Sequence, residues 1–187
     1  MALTISGTSN GKLGNLSLSA NTGDILDSAN TTFFGADQWR LTTTITASGG
    51  TFNYDLTSNL ERVDSTGASY IGTGMTESSG IFTFPATGIW LIQFFASANI
   101  KRTDNVGFHI QRTTDNSTYD TVAFSDGCGD DSDLGVSSGT SFFIFDVTDV
   151  STHKVKFRAE SMNDGTQLLG DTAESRTSML FQRLGDT

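Results

Sequence analysis

Near the middle of the chain lies an apolar stretch that only one polar residue, Gln93, interrupts. Its aromatic and β-branched residues are dense and follow a turn, Pro85 to Gly88, which is typical of a strand rather than a helix. A strand with one face in water alternates between apolar and polar residues. Because this stretch does not alternate, we expect both its faces to be covered, by two sheets or by a sheet and another subunit. The stretch comprises Ile89, Trp90, Leu91, Ile92, Gln93, Phe94 and Phe95.

The remaining segments also predict strands. Residues 142–147 form a second run that is apolar on both faces up to Asp146, whereas residues 153–160 alternate strictly and predict a strand with one wet face. The chain has one proline, twenty glycines and fourteen phenylalanines, and its helix-forming residues never gather into an amphipathic pattern. Strands are also expected over residues 56–63 and 70–71. Eight to ten strands with short turns predict an all-β fold, a two-sheet antiparallel jelly-roll sandwich.

The central stretch resembles the motif of C1q/TNF-like jelly-roll domains, in which glycine, phenylalanine, proline, glycine and an aromatic residue recur in this register. The motif reads Gly80-x-Phe82-x-x-Pro85-x-x-Gly88-x-Trp90-x-Ile92-x-Phe94, and residues 179–184 look like the closing strand of that fold. The resemblance implies a threefold homotrimer. The residues expected to form the sandwich core and the subunit interface are Ile89, Leu91, Phe95, Phe142, Phe143 and Phe145.

The first thirty residues differ from the rest in composition. They are rich in Gly, Ser, Asn and Thr, and their few leucines and isoleucines cannot close a core. We expect an extended N-terminal arm over residues 1–32 and a jelly-roll domain over residues 33–187. The arm either docks on a partner or stays a loose terminus. The residues expected to anchor it are Leu13, Leu16, Leu18, Ile25 and Leu26.

Charge and cysteine content exclude several classes of function. The net charge is −10 and the pI about 4.3, so the field of the protein repels nucleic acid and anionic membranes. A single cysteine, Cys128, allows no disulfide within the chain. No apolar run approaches the roughly 18 residues of a membrane span, and no export signal follows Met1, so synthesis in a cytoplasm and no membrane insertion are expected.

Catalytic signatures are weak. Nucleophilic catalysis needs a serine or cysteine beside an oriented base, and the two histidines, His109 and His153, lie in no recognisable motif. The sequence does not supply the cysteine and histidine ligands that a zinc site needs. Paired carboxylates of the kind that glycosidases use are not accompanied by regularly spaced aromatic residues. We therefore expect a protein that is not an enzyme.

An acidic segment over residues 125–136 interrupts the strand pattern, and we interpret it as a surface loop. Calcium prefers six to eight oxygen ligands, which a glycine-containing loop can supply, but the order of residues does not match an EF-hand. This segment has two interpretations, a calcium site and a solvated acidic loop. The resemblance favours the first, because some C1q-like trimers carry calcium. The candidate ligands are Asp126, Asp130, Asp131 and Asp133.

The chain departs from animal C1q proteins because it has no collagen stalk. With its Thr, Ser, Asn and Gly richness it resembles the C1q-like modules in virion proteins of tailed phages, notably marine ones. This resemblance implies a trimeric structural protein on the virion surface, held to other virion proteins by its arm. Three alternatives remain open for its role. The protein could be a fibre that contacts host glycans or surface proteins through residues 126–136 and 162–175, or a capsid decoration protein. The least favoured alternative is a polysaccharide-degrading enzyme.

Overall fold

The computed structural model describes residues 35–101, 105–129 and 135–187. This part of the chain contains strands and no helix. In chain order the strands are β1 (Gly35–Leu41), β2 (Ile45–Thr46), β3 (Phe52–Asp55), β4 (Leu60–Arg62), β5 (Thr76–Ser78), β6 (Ile81–Thr83), β7 (Gly88–Ile100), β8 (Asn105–Thr113), β9 (Asp120–Cys128), β10 (Gly135–Val147), β11 (Lys154–Met162), β12 (Gln167–Leu168) and β13 (Ser178–Gly185).

The strands form two antiparallel sheets. Sheet A has the order β10, β7, β13, β1, β4, and the short strands β12 and β2 extend it beside the far end of β7. Sheet B has the order β5, β6, β11, β8, β9, with β3 also paired to β11. Every pairing between these described strands is antiparallel, so the all-β, two-sheet prediction is confirmed.

The core lies between the sheets and is built by alternation. On β7 the side chains of Trp90, Ile92 and Phe94 are at most 2% exposed and point inward. Sheet B meets them with the inward residues of β8 and β11, and Phe94 packs against Phe108 and Phe157 with ring centroids 6.5 and 5.0 Å apart. Burying such side chains contributes about 1.5–3 kcal/mol each, which makes this layer the main source of stability.

The glycines of the central motif have a steric role. Gly80 has φ +81°, and a Cβ added there would lie 2.0 Å from the carbonyl oxygen of Leu56. Gly88 has φ +137°, and a Cβ there would lie 2.5 Å from the carbonyl oxygen of Gly185. Any L side chain at either position would be strained and would push the neighbouring backbone away. Both glycines let the turns before and after β6 pack closely, which positions Trp90 in the core.

Several predicted boundaries are wrong. Residues 56–63 are not one strand, because β3 ends before Leu56 and β4 begins at Leu60. Leu56 lies between the two strands and is buried. Tyr70 and Ile71 form no strand beyond an isolated bridge from Ile71 to Ala36. The expected loop over residues 125–136 is shorter, because β9 continues to Cys128 and β10 begins at Gly135. Every second side chain near the end of β9 points into water, which explains its polar sequence. The backbone of β9 nevertheless pairs with β8, so these residues form a strand.

Candidate functional site

The outer face of sheet A is the strongest candidate for a functional surface. Because Trp90, Ile92 and Phe94 point into the core, the residues between them point away from it. Leu91 and Phe95 therefore lie on the outer face of β7, where they are half-buried within the single subunit. The central stretch thus has a core face and a second apolar face, as its lack of alternation predicts.

The neighbouring strands extend this apolar surface. On β10, Phe142 is 69% exposed and Ile144 is 58% exposed. The strand register places Ile144 beside Leu91, and it places Phe142 on one side of Gln93 with Leu180 of β13 on the other. The exposed side chains of Phe142 and Ile144 therefore lie next to other apolar side chains and are not isolated on the surface. We call this surface the sheet A patch; it consists of Ile89, Leu91, Phe95, Phe142, Ile144 and Leu180.

The sheet A patch is also free of charge. Between Val136 and Ile144 on β10, Leu91 and Asn99 on β7, and Ser178 and Gln182 on β13, no outward-facing residue is Asp, Glu, Lys or Arg. The polar residues among them carry hydroxyl or amide groups. Asp146 lies beyond one end of this area, opposite Ile89. A chain of net charge −10 therefore keeps its charges off the centre of its most apolar face.

The predicted interface residues divide between the two faces of sheet A. Ile89, Leu91, Phe95 and Phe142 lie on the outer face. By contrast, Phe145 is 5% exposed and belongs to the core.

Phe143 shares the inner side of β10 with Phe145, and their ring centroids are 5.7 Å apart. Ile144 and Leu180 were not among the six residues predicted for the core and interface. Their position follows from the parity of β10 and β13, because Ile144 is two residues from Phe142, and Leu180 alternates with the buried Met179 and Phe181.

The outer face of sheet B is different in chemistry. Asp55 accepts hydrogen bonds from Lys156 Nζ at 3.0 Å and from Arg158 Nε at 2.5 Å. The hydrogen bond from Arg158 is the main cause that holds the pKa of Asp55 below its usual value, although partial burial opposes it. On this face the carboxylate of Asp55 is therefore paired with two cations of the same subunit.

The histidines occupy structural positions. The imidazole of His109 stacks on Phe124 with centroids 5.3 Å apart, and its Nδ1 lies 3.6 Å from Glu160 Oε2. Burial lowers the pKa of His109, and the charge of Glu160 offsets part of that shift. His153 is 9% exposed and stacks on Phe145, between the hydroxyls of Thr148 and Thr152.

The candidate calcium ligands are described only in part. Asp126 lies on β9, paired with Gly107 of β8, rather than in a loop. Asp130, Asp131 and Asp133 lie outside the described residues. Within residues 35–101, 105–129 and 135–187, no group of three or more His, Cys, Asp or Glu side chains is arranged to hold a metal ion. The calcium interpretation therefore stays a prediction.

The N-terminal arm is equally untested. The predicted anchor residues Leu13, Leu16, Leu18, Ile25 and Leu26 lie outside the described part of the chain, and the division at residue 32 stays a prediction. In the described part, no helix has the length and apolarity that crossing a membrane requires.

Comparison with known proteins identifies the fold. No family model and no curated protein matches the sequence. The crystal structure of murine APRIL at pH 5.0 is similar, with 11% identity, a TM-score of 0.56, and coverage of 81% of this chain and 99% of that one. The structure of Eiger TNF from S. frugiperda has 13% identity, a TM-score of 0.55, and coverage of 82% and 94%. Identities this low show the fold alone, which is a TNF-like jelly roll, as the resemblance implied.

Proposed function

We propose that this protein is a non-enzymatic structural module that forms a homotrimer through the sheet A patch. The observation that carries the proposal is an apolar, uncharged surface at the centre of one sheet of a strongly acidic chain. Contiguous apolar surface bordered by polar residues marks an interaction site more often than isolated apolar residues do. Burying each of its large side chains contributes about 1.5–3 kcal/mol, which is enough in sum to offset the cost of association.

The occupant we propose is a second copy of the chain. Copies that each carry a charge of −10 repel each other, and a contact area without charge minimises that repulsion at short range. A basic partner would instead be expected to meet carboxylates on this face, and those are absent from the central rows of β10, β7 and β13. Electrostatics therefore favours self-association over an oppositely charged partner.

The position of β10 suggests how copies close into a ring. Among the described strands, β10 pairs only with β7, so Phe142 and Ile144 bring the apolar surface to the edge of sheet A. An edge of one copy set against the face of the next is a heterologous contact, and such contacts close into rings when the rotation allows it. The resemblance to C1q/TNF-like domains supports three copies in that ring.

The sequence resemblance to virion modules supports a placement on a phage particle. In this proposal, residues 1–32 hold the trimer to another virion protein, and the jelly roll faces outward on the virion surface. Such a module serves as a tail fibre or capsid-attached fibre with a role in host attachment. Capsid decoration at threefold positions is the alternative role.

Sedimentation velocity of the full chain at micromolar concentration tests the trimer. We expect one species of about three times the 20.0 kDa chain mass. A species of single-chain mass at these concentrations would refute self-association.

Removing residues 1–30 tests the placement. We expect this shortened chain to remain a trimer and to be absent from purified particles, where the full chain is present. Absence of the full chain from particles would refute the virion role. If the full chain binds expanded empty capsids and not host cells, decoration replaces the fibre.

A further inference from the structure

The centre of the sheet A patch is occupied by a polar residue. Gln93 lies on the outer face of β7, two residues from Leu91 in one direction and from Phe95 in the other. Across the strands it is flanked by Phe142 of β10 and Leu180 of β13. Four apolar side chains therefore surround one amide. A leucine here would extend the apolar surface, so the glutamine reduces what the patch gains from burial alone.

Within the part of the chain that the structure describes, this amide has no hydrogen-bond partner. The side chain of Gln93 hydrogen-bonds to no described residue, and the same holds for Gln182 and Gln38 on the same face. At the far end of β7 the situation is different, because Asn99 Nδ2 donates to Gln167 Oε1 at 2.9 Å. The two amides near the end of β7 are thus paired with each other, whereas Gln93, Gln182 and Gln38 have no hydrogen-bond partner among the described residues.

Covering the patch would leave these amides buried. A buried amide without a hydrogen bond costs about 1–3 kcal/mol, so a stable contact has to supply partners for them. An amide carries a donor and an acceptor in one group and can pair with an identical group. An ionised carboxylate cannot pair with an identical group in this way, because it has hydrogen-bond acceptors and no donor. Amides are therefore the polar groups that suit a contact between identical copies.

We propose that Gln93 sets the register and the number of copies of the assembly, by hydrogen bonding to a side-chain amide of the neighbouring copy. The proposal rests on self-association through the sheet A patch. Apolar contacts tolerate sliding and rotation, whereas a buried amide is satisfied only in arrangements that bring its partner within about 3 Å. A single polar residue in an apolar interface fixes register and oligomeric state in coiled coils at a cost in stability.

The test compares two substitutions of Gln93 in the full chain by sedimentation velocity and native mass spectrometry. For Gln93→Leu we expect association at least as tight as in the wild type, but a mixture of copy numbers in place of one. For Gln93→Glu at pH 8 we expect the dissociation concentration to rise on the order of 100-fold, because a buried charge replaces a donor. Circular dichroism confirms that both variants fold, since Gln93 points away from the core.

Asn53→Asp is the matched control. It makes the same change from amide to carboxylate on the other sheet, where Asn53 Oδ1 accepts a hydrogen bond from Ser161 N at 3.0 Å that a carboxylate also accepts. We expect no change in association for this variant. An assembling wild type with a Gln93→Glu variant that associates as tightly, or a Gln93→Leu variant with one unchanged copy number, would overturn the role of Gln93 alone. A monomeric wild type would overturn this role and the proposed function together.

Discussion

The outer faces of the two sheets differ in how their side chains find partners. Sheet B presents Asp55 between Lys156 and Arg158, and its His109 stacks on Phe124 next to Glu160. Sheet A presents the apolar patch and amides that have no hydrogen-bond partner among the described residues, and its ion pair of Arg40 with Glu61 lies to the side of the patch, on β1 and β4. Both faces cover the same core, so fold stability alone does not require the difference. This difference supports the proposal that the outer face of sheet B faces water, whereas the outer face of sheet A contacts another copy of the chain.

The largest effect is expected from two adjacent residues of β7 that point in opposite directions. Phe94→Ala removes a ring that is 0% exposed in the core, and we expect it to lower the free energy of unfolding by about 3–5 kcal/mol. Phe95→Ala changes the outer face, and we expect it to weaken association instead. Urea denaturation and sedimentation measure the two quantities separately. Equal loss of subunit stability in both variants would mean that the outer face belongs to the subunit's own core.

The next largest effect is expected for a charge in the sheet A patch. Leu91→Asp places a carboxylate beside Ile144, and we expect it to raise the dissociation concentration by on the order of 100-fold or more, because an unpaired charge is costly to bury. Phe124→Asp is the control on sheet B, where the ring is 60% exposed. We expect that variant to associate normally. The contrast between the faces fails if both variants dissociate alike.

Sequence patterns predicted the fold better than they predicted which side chains of each strand point into the core and which point outward. The motif from Gly80 to Trp90 reports local sterics, since both glycines have positive φ and close backbone neighbours. Alternation separated the wet side of β11 from its core side over residues 155–160, whereas Lys154, predicted on the wet side, is only 9% exposed. By contrast, a run such as Phe142 to Phe145 carries no parity signal, because every residue is apolar. Only the register against β7 decides which rings point outward.

The boundaries of β9 show a different limit. Its last residues are Ser, Asp, Gly and Cys, which are typical of a loop, yet they pair with β8 through the backbone. The pairing depends on residues distant in sequence, and side-chain composition does not encode it. For the same reason the position of Gln93 among the residues of the sheet A patch was not predicted. Gln93 looks like an interruption of a strand until its neighbours across the sheet are known.

A smaller effect is expected from the ion pairs of sheet B. The folded pKa of Asp55 is lowered, so its contribution to stability is present above its unfolded pKa of 3.8 and is lost as the pH falls through the folded value. We expect Asp55→Asn to cost about 0.5–1 kcal/mol at neutral pH and nothing once the wild-type carboxylate is protonated. Urea denaturation across pH measures this. A cost that persists at the lowest pH would assign Asp55 a role other than charge pairing.

The smallest expected effect concerns His109, whose folded pKa lies below its ordinary value of 6.5 mainly because of burial. A lowered histidine pKa means that the folded state binds protons less readily than the unfolded one. The stability it contributes is therefore present above pH 6.5 and is lost as the pH falls through the folded value. Glu160→Gln removes the charge that offsets burial, so we expect the His109 pKa to fall further. NMR titration of the imidazole measures it, with Glu174→Gln as a control that leaves it unchanged. A rise in the Glu160→Gln variant would show that the outer face of sheet B is not governed by its pairs within the subunit, and the contrast with sheet A would lose its electrostatic basis.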